Sequence, residues 1–254
     1  MIAFLSALER ELAELKKGMD DRGLRKLRMA TVAEGSVSGR HVLLVTTGVG
    51  RRRATQAAED LLEAYAPEAV VSLGYGGALV PDLRAGDLVV SPRIRLAETS
   101  ETVVSYPSDS RLLDLASRAG SGPIHFADGV TAAMVIATEE AKQGLAHRWS
   151  AAVVDMESYW VAETAAARGV PFLAVRAISD TLEDKLPDLV KMIDADGNLK
   201  ALEAGRHLSV HPGEAGRLLK FARNAALARR ALGRFGLAFT SVYAQASSLD
   251  EAKA

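Results

Sequence analysis

Three acids stand where a sheet-based pocket would use them: Glu11, Glu157 and Asp180. Glu11 comes just after an apolar run at Ile2–Ser6, Glu157 after "AVVDM", and Asp180 after "PFLAVRAIS". Ligands of open α/β sheets bind beyond the carboxyl ends of the strands, and these runs read as strands. Two glycine turns, "GVG" (Gly48–Gly50) and "GYGGA" (Gly74–Ala78), close two further apolar runs. Glycine at such a place lets backbone N–H groups approach a ligand closely. Taken singly, each feature has a structural reading. A glutamate at a helix start complements the dipole, and an aspartate after a strand makes an Asx turn. Together on one rim they point to a small-molecule pocket with several carboxylates and no metal ligands. "GVGRRR" lacks the third glycine of G-x-G-x-x-G, so a dinucleotide site is not the reading.

Composition removes several other chemistries. There is no cysteine, which excludes disulfides, thiolate catalysis and cysteine metal sites. Of the histidines, only His207 and His211 are close, and Pro212-Gly213 would end any helix there; both read as surface residues. A net charge of −1 gives no electrostatic reason to expect a nucleic-acid partner. The N-terminal apolar run is too short for a signal h-region, and no stretch reaches membrane-span length. The expectation is a soluble, cytoplasmic protein.

The elements that would position the acids alternate. Strands are expected at Ile2–Ser6, His41–Gly50, Ala69–Leu79, "AGDLVVSPRIRLAE", "GVTAAMVIAT", Ala152–Asp155 and Pro171–Ile178. Helices are expected at about Leu8–Lys17, Arg53–Ala64, Arg111–Arg118, "EEAKQGLAHR" and Glu157–Arg168, the last closed by Gly169 as its C′ residue. This order predicts an α/β fold: a three-layer sandwich with a central mixed, mostly parallel sheet covered on both faces. One such domain is expected over residues 1–200, a helical extension packed on it over 201–245, and a flexible tail over 246–254. In the extension, Leu218, Phe221, Ala225, Leu232 and Phe235 fall near one face, with arginines and Lys220 around the rest. That is a basic amphipathic helix. Its apolar side can pack on the domain, or contact an anionic membrane surface or a lipid-like substrate.

"VVDMESYWVAETAAARGVPFLAVRAISD" resembles the signature of the nucleoside phosphorylase and nucleosidase superfamily, in particular methylthioadenosine/S-adenosylhomocysteine nucleosidases. The similarity extends to "FLSALERELAELKK", "TTGVG" and "SLGYGGALVPDLRAGDLVVS", in order over residues 1 to about 180. It implies a phosphorylase/hydrolase-like fold and cleavage of the N-glycosidic bond of a purine nucleoside, an adenosyl compound being favoured, with no cofactor. It implies that Asp180 donates a proton to N7 of the base, oriented by Ser179, and that Glu157 binds the ribose hydroxyls with Met156 against the sugar. Glu11 matches the glutamate that activates water. Gly48, Gly74, Tyr75, Gly76, Gly77 and Val135 are the further candidates for substrate binding. Relatives of this kind are commonly homodimers or higher oligomers.

Water is favoured over phosphate as nucleophile. The early G-D-P-x-R turn of related phosphorylases is missing, Ser72 stands where they carry an arginine, and Glu11 is present. Arg51, Arg52 and Arg53 are the alternative, a site for phosphate as co-substrate. The sequence departs from the nucleosidase pattern at Tyr75 (usually serine), at Trp160 (usually alanine) and near "AAMVIAT", where Val135 or Met134 replaces the expected aromatic residue. These departures bear on the leaving base and the 5′ substituent. The stretch "LPDLVKMIDADGNLKALEAGRHLSVHPGEAGRLLKFARNAALARRAL" looks like the tail of hopanoid-associated phosphorylases, which implies a lipid-linked adenosyl substrate as a further alternative. A non-catalytic nucleoside-binding module is the remaining reading, and three intact acids argue against it.

Overall fold

The computed structural model describes residues 1–98, 104–120, 122–186 and 213–251. Its strands are β1 (Ile2–Ser6), β2 (Asp20–Lys26), β3 (Thr31–Val37), β4 (Arg40–Thr46), β5 (Ala69–Ala78), β6 (Leu88–Ser91), β7 (Arg93–Leu96), β8 (Ser105–Pro107), β9 (Ile124–Phe126), β10 (Gly129–Thr131), β11 (Val153–Asp155) and β12 (Phe172–Asp180). Its helices are α1 (Glu9–Lys17), α2 (Arg51–Tyr65), α3 (Ser110–Arg118), α4 (Glu139–Trp149), α5 (Ser158–Ala167) and, last, α6 (Glu214–Glu251). Histidines 207 and 211 and the start of the expected extension lie outside the described residues.

The strands form one mixed sheet in the order β2-β3-β4-β1-β5-β11-β10-β7-β8, with β12 pairing β5 and β6, and β6 pairing β9. Parallel pairs of β1 with β4 and β5, and of β5 with β12, make its centre. Side chains alternate across it. Ile2 and Phe4 join a core with Leu12 and Leu15 of α1, Leu112 and Leu115 of α3, and Phe235 and Phe239 of α6. Ala3 and Leu5 face the opposite core, with Leu61 of α2 and Tyr159 to Ala162 of α5. The period of two along β1 thus feeds both helical layers and makes the three-layer sandwich.

The longest strand, β5, changes partners along its length. Its first residues pair with β1, up to Leu5 opposite Ser72. Beyond the end of β1 its far end pairs antiparallel with β11, Val154 opposite Gly77 and Val153 opposite Ala78. On its other edge β12 runs alongside throughout, with a bulge between Ile178 and Asp180. A bulge adds one residue to one strand and re-aims the side chains beside it. The change of partner opens the sheet between β1 and β11, and the bulge lies at the same end.

Several elements differ from the sequence expectation. The hairpin β2–β3 and the short strands β8 and β9 carry too little apolar alternation to announce themselves. "AGDLVVSPRIRLAE" splits into β6 and β7 around Pro92, which has no N–H to offer a ladder. "GVTAAMVIAT" is strand only at Gly129–Thr131, because its partners β7 and β11 end opposite Thr131, at Leu96 and Asp155. Helix α6 runs past residue 245, to Glu251. Its buried stripe extends through Thr240 and Tyr243, and the Tyr243 hydroxyl donates to Glu68 Oε2 at 3.2 Å.

The helix α6 lies on α1 at close range. A Cβ placed on Gly233 would lie 2.3 Å from the Glu14 Cβ, and one on Gly236 would lie 2.7 Å from Leu15 Cδ2. Only glycine admits that approach. Arg217, Lys220, Arg223, Arg230 and Arg234 stay on the exposed side. No helix among the described residues is long and apolar enough to cross a membrane.

Candidate active site

The carboxyl ends of β1, β5, β11 and β12 open onto a cleft of about 500 Å³. Glu11, Glu157 and Asp180 all line it, as do Met156, Ser179, Tyr75, Gly76, Gly77 and Val135.

Glu11 is buried one turn into α1. Its Oε2 accepts the Ser6 hydroxyl at 2.5 Å and the Leu8 N–H at 2.8 Å, and Oε1 accepts the Tyr75 N–H at 2.7 Å. A carboxylate has about four acceptor positions, so three donors leave room for a water. Burial raises its pKa; the bonds from Ser6, Tyr75 and Leu8 and the charge of Arg176 oppose the rise. A raised pKa makes it a stronger base. Gly74 is not a cleft residue: it lies beneath Glu11, where a Cβ would sit 3.1 Å from Oε1.

Glu157 stands at the N-cap position of α5 without a side-chain capping bond, and its carboxylate instead accepts the Gly50 N–H at 2.9 Å. Gly50 has φ +91°, a left-handed conformation that glycine adopts without strain. Burial pushes Glu157 up to about 8, the neighbouring Asp155 carboxylate adding to the rise. Part of its side chain still meets water in the cleft. A ligand seated there would remove that water and strengthen each interaction it makes.

Asp180, buried at the end of β12, accepts the Ser179 hydroxyl at Oδ1 (2.8 Å) and pairs with Lys142 Nζ at Oδ2 (2.6 Å). A Cβ on Gly77 would come within 3.0 Å of Oδ2, so the glycine leaves the carboxyl its place. Burial raises the pKa of Asp180, and Lys142 offsets part of that rise. Tyr75 is half-buried, and burial together with the Glu11 carboxylate keeps its phenol protonated.

Gly48 falls outside this cleft. It borders an adjoining one of about 670 Å³, lined also by Arg10, Arg28, Arg53 and Thr47. The two clefts share Ala7, Leu8 and Arg10, and from the "TTGVG" turn it is Val49 that reaches the first. Arg51 stacks on Trp160, its guanidinium 4.3 Å from the ring centroid, which engages one of the three arginines named for the phosphate alternative.

Two buried cations were not singled out from the sequence. Arg176, inside β12, bonds Asp155 Oδ2 through Nε at 2.6 Å, and reaches the Ser72 carbonyl and hydroxyl at 2.9 and 2.8 Å. Asp155 Oδ1 takes the Thr131 hydroxyl at 2.6 Å. A lone cation in the apolar run "FLAVRAIS" was the signal for Arg176. Lys142 had no such signal: "EEAKQGLAHR" reads as a solvated helix. The floor of the site therefore carries Glu11, Asp155, Glu157 and Asp180 against Arg176 and Lys142. Such a set suits a reaction that builds positive charge on the substrate. Among the described residues no group of His, Asp and Glu is placed to hold a metal ion.

The profile of the Phosphorylase superfamily matches residues 1–208. The chain belongs to that superfamily. Among its curated superfamily relatives is the 5′-methylthioadenosine/S-adenosylhomocysteine nucleosidase of Chromohalobacter salexigens, 29% identical over 196 residues, covering 70% of this chain and 83% of the relative. The enzyme of that name from Shewanella loihica is 26% identical over 223 residues, covering 81% and 94%. Solved structures are alike in fold too. The same-named nucleosidase of Neisseria meningitidis, in complex with methylthio-immucillin-A, superposes with a TM-score of 0.77 at 18% identity over 94% of this chain and 98% of that one. Futalosine hydrolase of Helicobacter pylori gives 0.73 at 18% identity, covering 96% and 97%.

Proposed function

We propose that this chain hydrolyses the N-glycosidic bond of a purine nucleoside, with adenosyl compounds as substrates. The observation that carries the reading is the convergence of Glu11, Glu157 and Asp180 on one cleft, each with a raised pKa. Asp180 in its acid form gives its proton to N7 of the base. The C1′–N9 bond breaks, its electron pair going to the purine and positive charge to the ribose. Glu11 takes a proton from the attacking water as the C1′–O bond forms. Glu157 holds the ribose hydroxyls and, when ionised, favours the oxocarbenium-like transition state. The nucleosidase relatives carry names that accord with this chemistry.

The mouth of the cleft supports an apolar, lipid-linked 5′ substituent, as the hopanoid-like tail suggested. Met134 there is 69% exposed, with Val135, Leu186 and Phe221 of α6 around it. The basic outer side of α6 supports contact with an anionic membrane surface, and exposed Phe126 and Met134 support association into a homo-oligomer. Liposome co-sedimentation and light scattering test these two points.

Base release from methylthioadenosine, S-adenosylhomocysteine, adenosine and inosine, with and without phosphate, tests the main reading. Equal adenine release in both buffers is the expected result. Release only with phosphate would make the enzyme a phosphorylase, with the arginine-lined cleft beside Gly48 as its anion site. No release from any nucleoside would remove the reading.

A further inference from the structure

Lys142 is wholly buried, 0% exposed, in the second turn of α4. Its Nζ forms an ion pair with Asp180 Oδ2 at 2.6 Å and donates to the Thr181 carbonyl at 2.6 Å and to the Asp184 carbonyl at 3.3 Å. The ion pair calls for the ammonium form, which also has hydrogens for both carbonyls. Burying an ammonium costs several kcal/mol after relaxation, so one kept here needs a purpose that a neutral side chain would not serve. Tying the Thr181–Asp184 turn to α4 is not that purpose, because a neutral donor can bond two carbonyls. Asp180 is the one partner that calls for charge.

The surrounding groups leave that charge to Asp180. The nearest competing carboxylate, Asp184, is engaged elsewhere: Oδ1 pairs with Lys220 of α6 at 2.5 Å, and Oδ2 accepts the Thr181 N–H at 2.9 Å and the Asn224 amide at 3.3 Å. Glu183, Lys185 and Arg217 line the neighbouring hollow with Asp184 and Lys220, on the wetter side of the turn. From β5, the group facing Asp180 is Gly77, which carries no charge.

We propose that Lys142 is a positioning residue for the general acid, stabilising the carboxylate that Asp180 becomes as its proton passes to the purine. This rests on the reading of the site as a purine nucleosidase. The reacting form of the site carries its proton on Asp180, beside the Lys142 ammonium. As the proton moves from Asp180 to N7 and the C1′–N9 pair moves onto the base, negative charge appears on Asp180, 2.6 Å from Nζ. Lys142 keeps its three protons throughout. The attraction is strongest after the proton has left, so it acts on the transition state more than on bound substrate.

The test uses the full chain, wild type, Lys142→Met and Lys142→Gln, on two substrates sharing one 5′ group: methylthioadenosine and the matching 4-nitrophenyl riboside. The nitrophenolate leaves without protonation and bypasses the acid. Both variants should lose about 10²-fold in kcat for adenine release, the scale of general acid catalysis. KM should change little, and 4-nitrophenol release should be retained. Without the ammonium, Asp180 holds its proton to higher pH, so the alkaline limb of the adenine profile should move upward as its plateau falls. Equal losses on both substrates, an unmoved limb, failure of both variants to fold, or wild-type adenine release by Lys142→Gln would overturn the proposal, leaving Lys142 a structural tie. A wild-type enzyme that folds and releases no base would instead remove the functional reading, and the inference with it.

Discussion

Glu11 takes the Tyr75 N–H at 2.7 Å at the point where β5 has left β1 and has not yet met β11. An acid from a neighbouring helix thus fills the place of a missing strand carbonyl. The bond satisfies a backbone donor at the opening of the sheet and fixes the carboxylate at the cleft.

That double role predicts a double effect for Glu11→Gln. The amide puts N–H groups where three donors already point, so unfolding free energy should fall by about 1–3 kcal/mol. Hydrolysis should fall by about 10²-fold or more through loss of the base. Denaturant unfolding and chromatographic base release measure the two separately. Full stability with full activity would remove both roles.

Asp180→Asn should lower base release by about 10²–10⁴-fold while nucleoside binding persists in calorimetry. The variant also leaves the Lys142 ammonium buried without its counter-charge, which should cost about 3–5 kcal/mol of stability. The double variant Asp180→Asn/Lys142→Met should recover part of that cost. A double variant less stable than Asp180→Asn alone would contradict the pairing.

Glu157 gives a pH signature. Its pKa rises on folding from 4.5 to about 8, so the folded state binds a proton that the unfolded state has released in that interval. Its stability contribution is therefore full below about pH 4.5 and is lost as pH rises toward 8. Glu11 and Asp180, also raised, act in the same direction. The wild-type Tm should decline over this range, and Glu157→Gln should flatten part of the decline. Parallel Tm curves for the two proteins would exclude the shift.

Gly233→Val should disturb α6 on α1, because the new Cβ would fall 2.3 Å from the Glu14 Cβ. Overpacking of this kind typically costs about 1–3 kcal/mol. Phe221 of α6 lines the cleft, so KM for apolar 5′ substituents should rise as well. Thermal unfolding and kinetics with methylthioadenosine and adenosine would show whether α6 couples stability to specificity.

Much of the architecture was legible in the residues themselves. The apolar runs of β1, β5 and β12 placed the central strands, and strand–helix order implied a covered sheet. Glu11, Glu157 and Asp180 could be put on one rim from their places after strands, although β11 runs antiparallel to β5 and Glu157 reaches the rim only because β11 meets the far end of that strand. Local amphipathicity carries that information. It does not carry partner exchange: that β5 leaves β1 for β11, and that β10 stops with its neighbours, depends on pairings between segments distant in the chain. It also does not carry the fate of a single polar side chain. Lys142 on a polar-looking helix and Arg176 in an apolar strand both end buried. Folding brings a carboxylate to each, and at that distance the attraction between opposite charges offsets the loss of water. The sequence determined which acids meet; the tertiary structure decided which cations sit behind them.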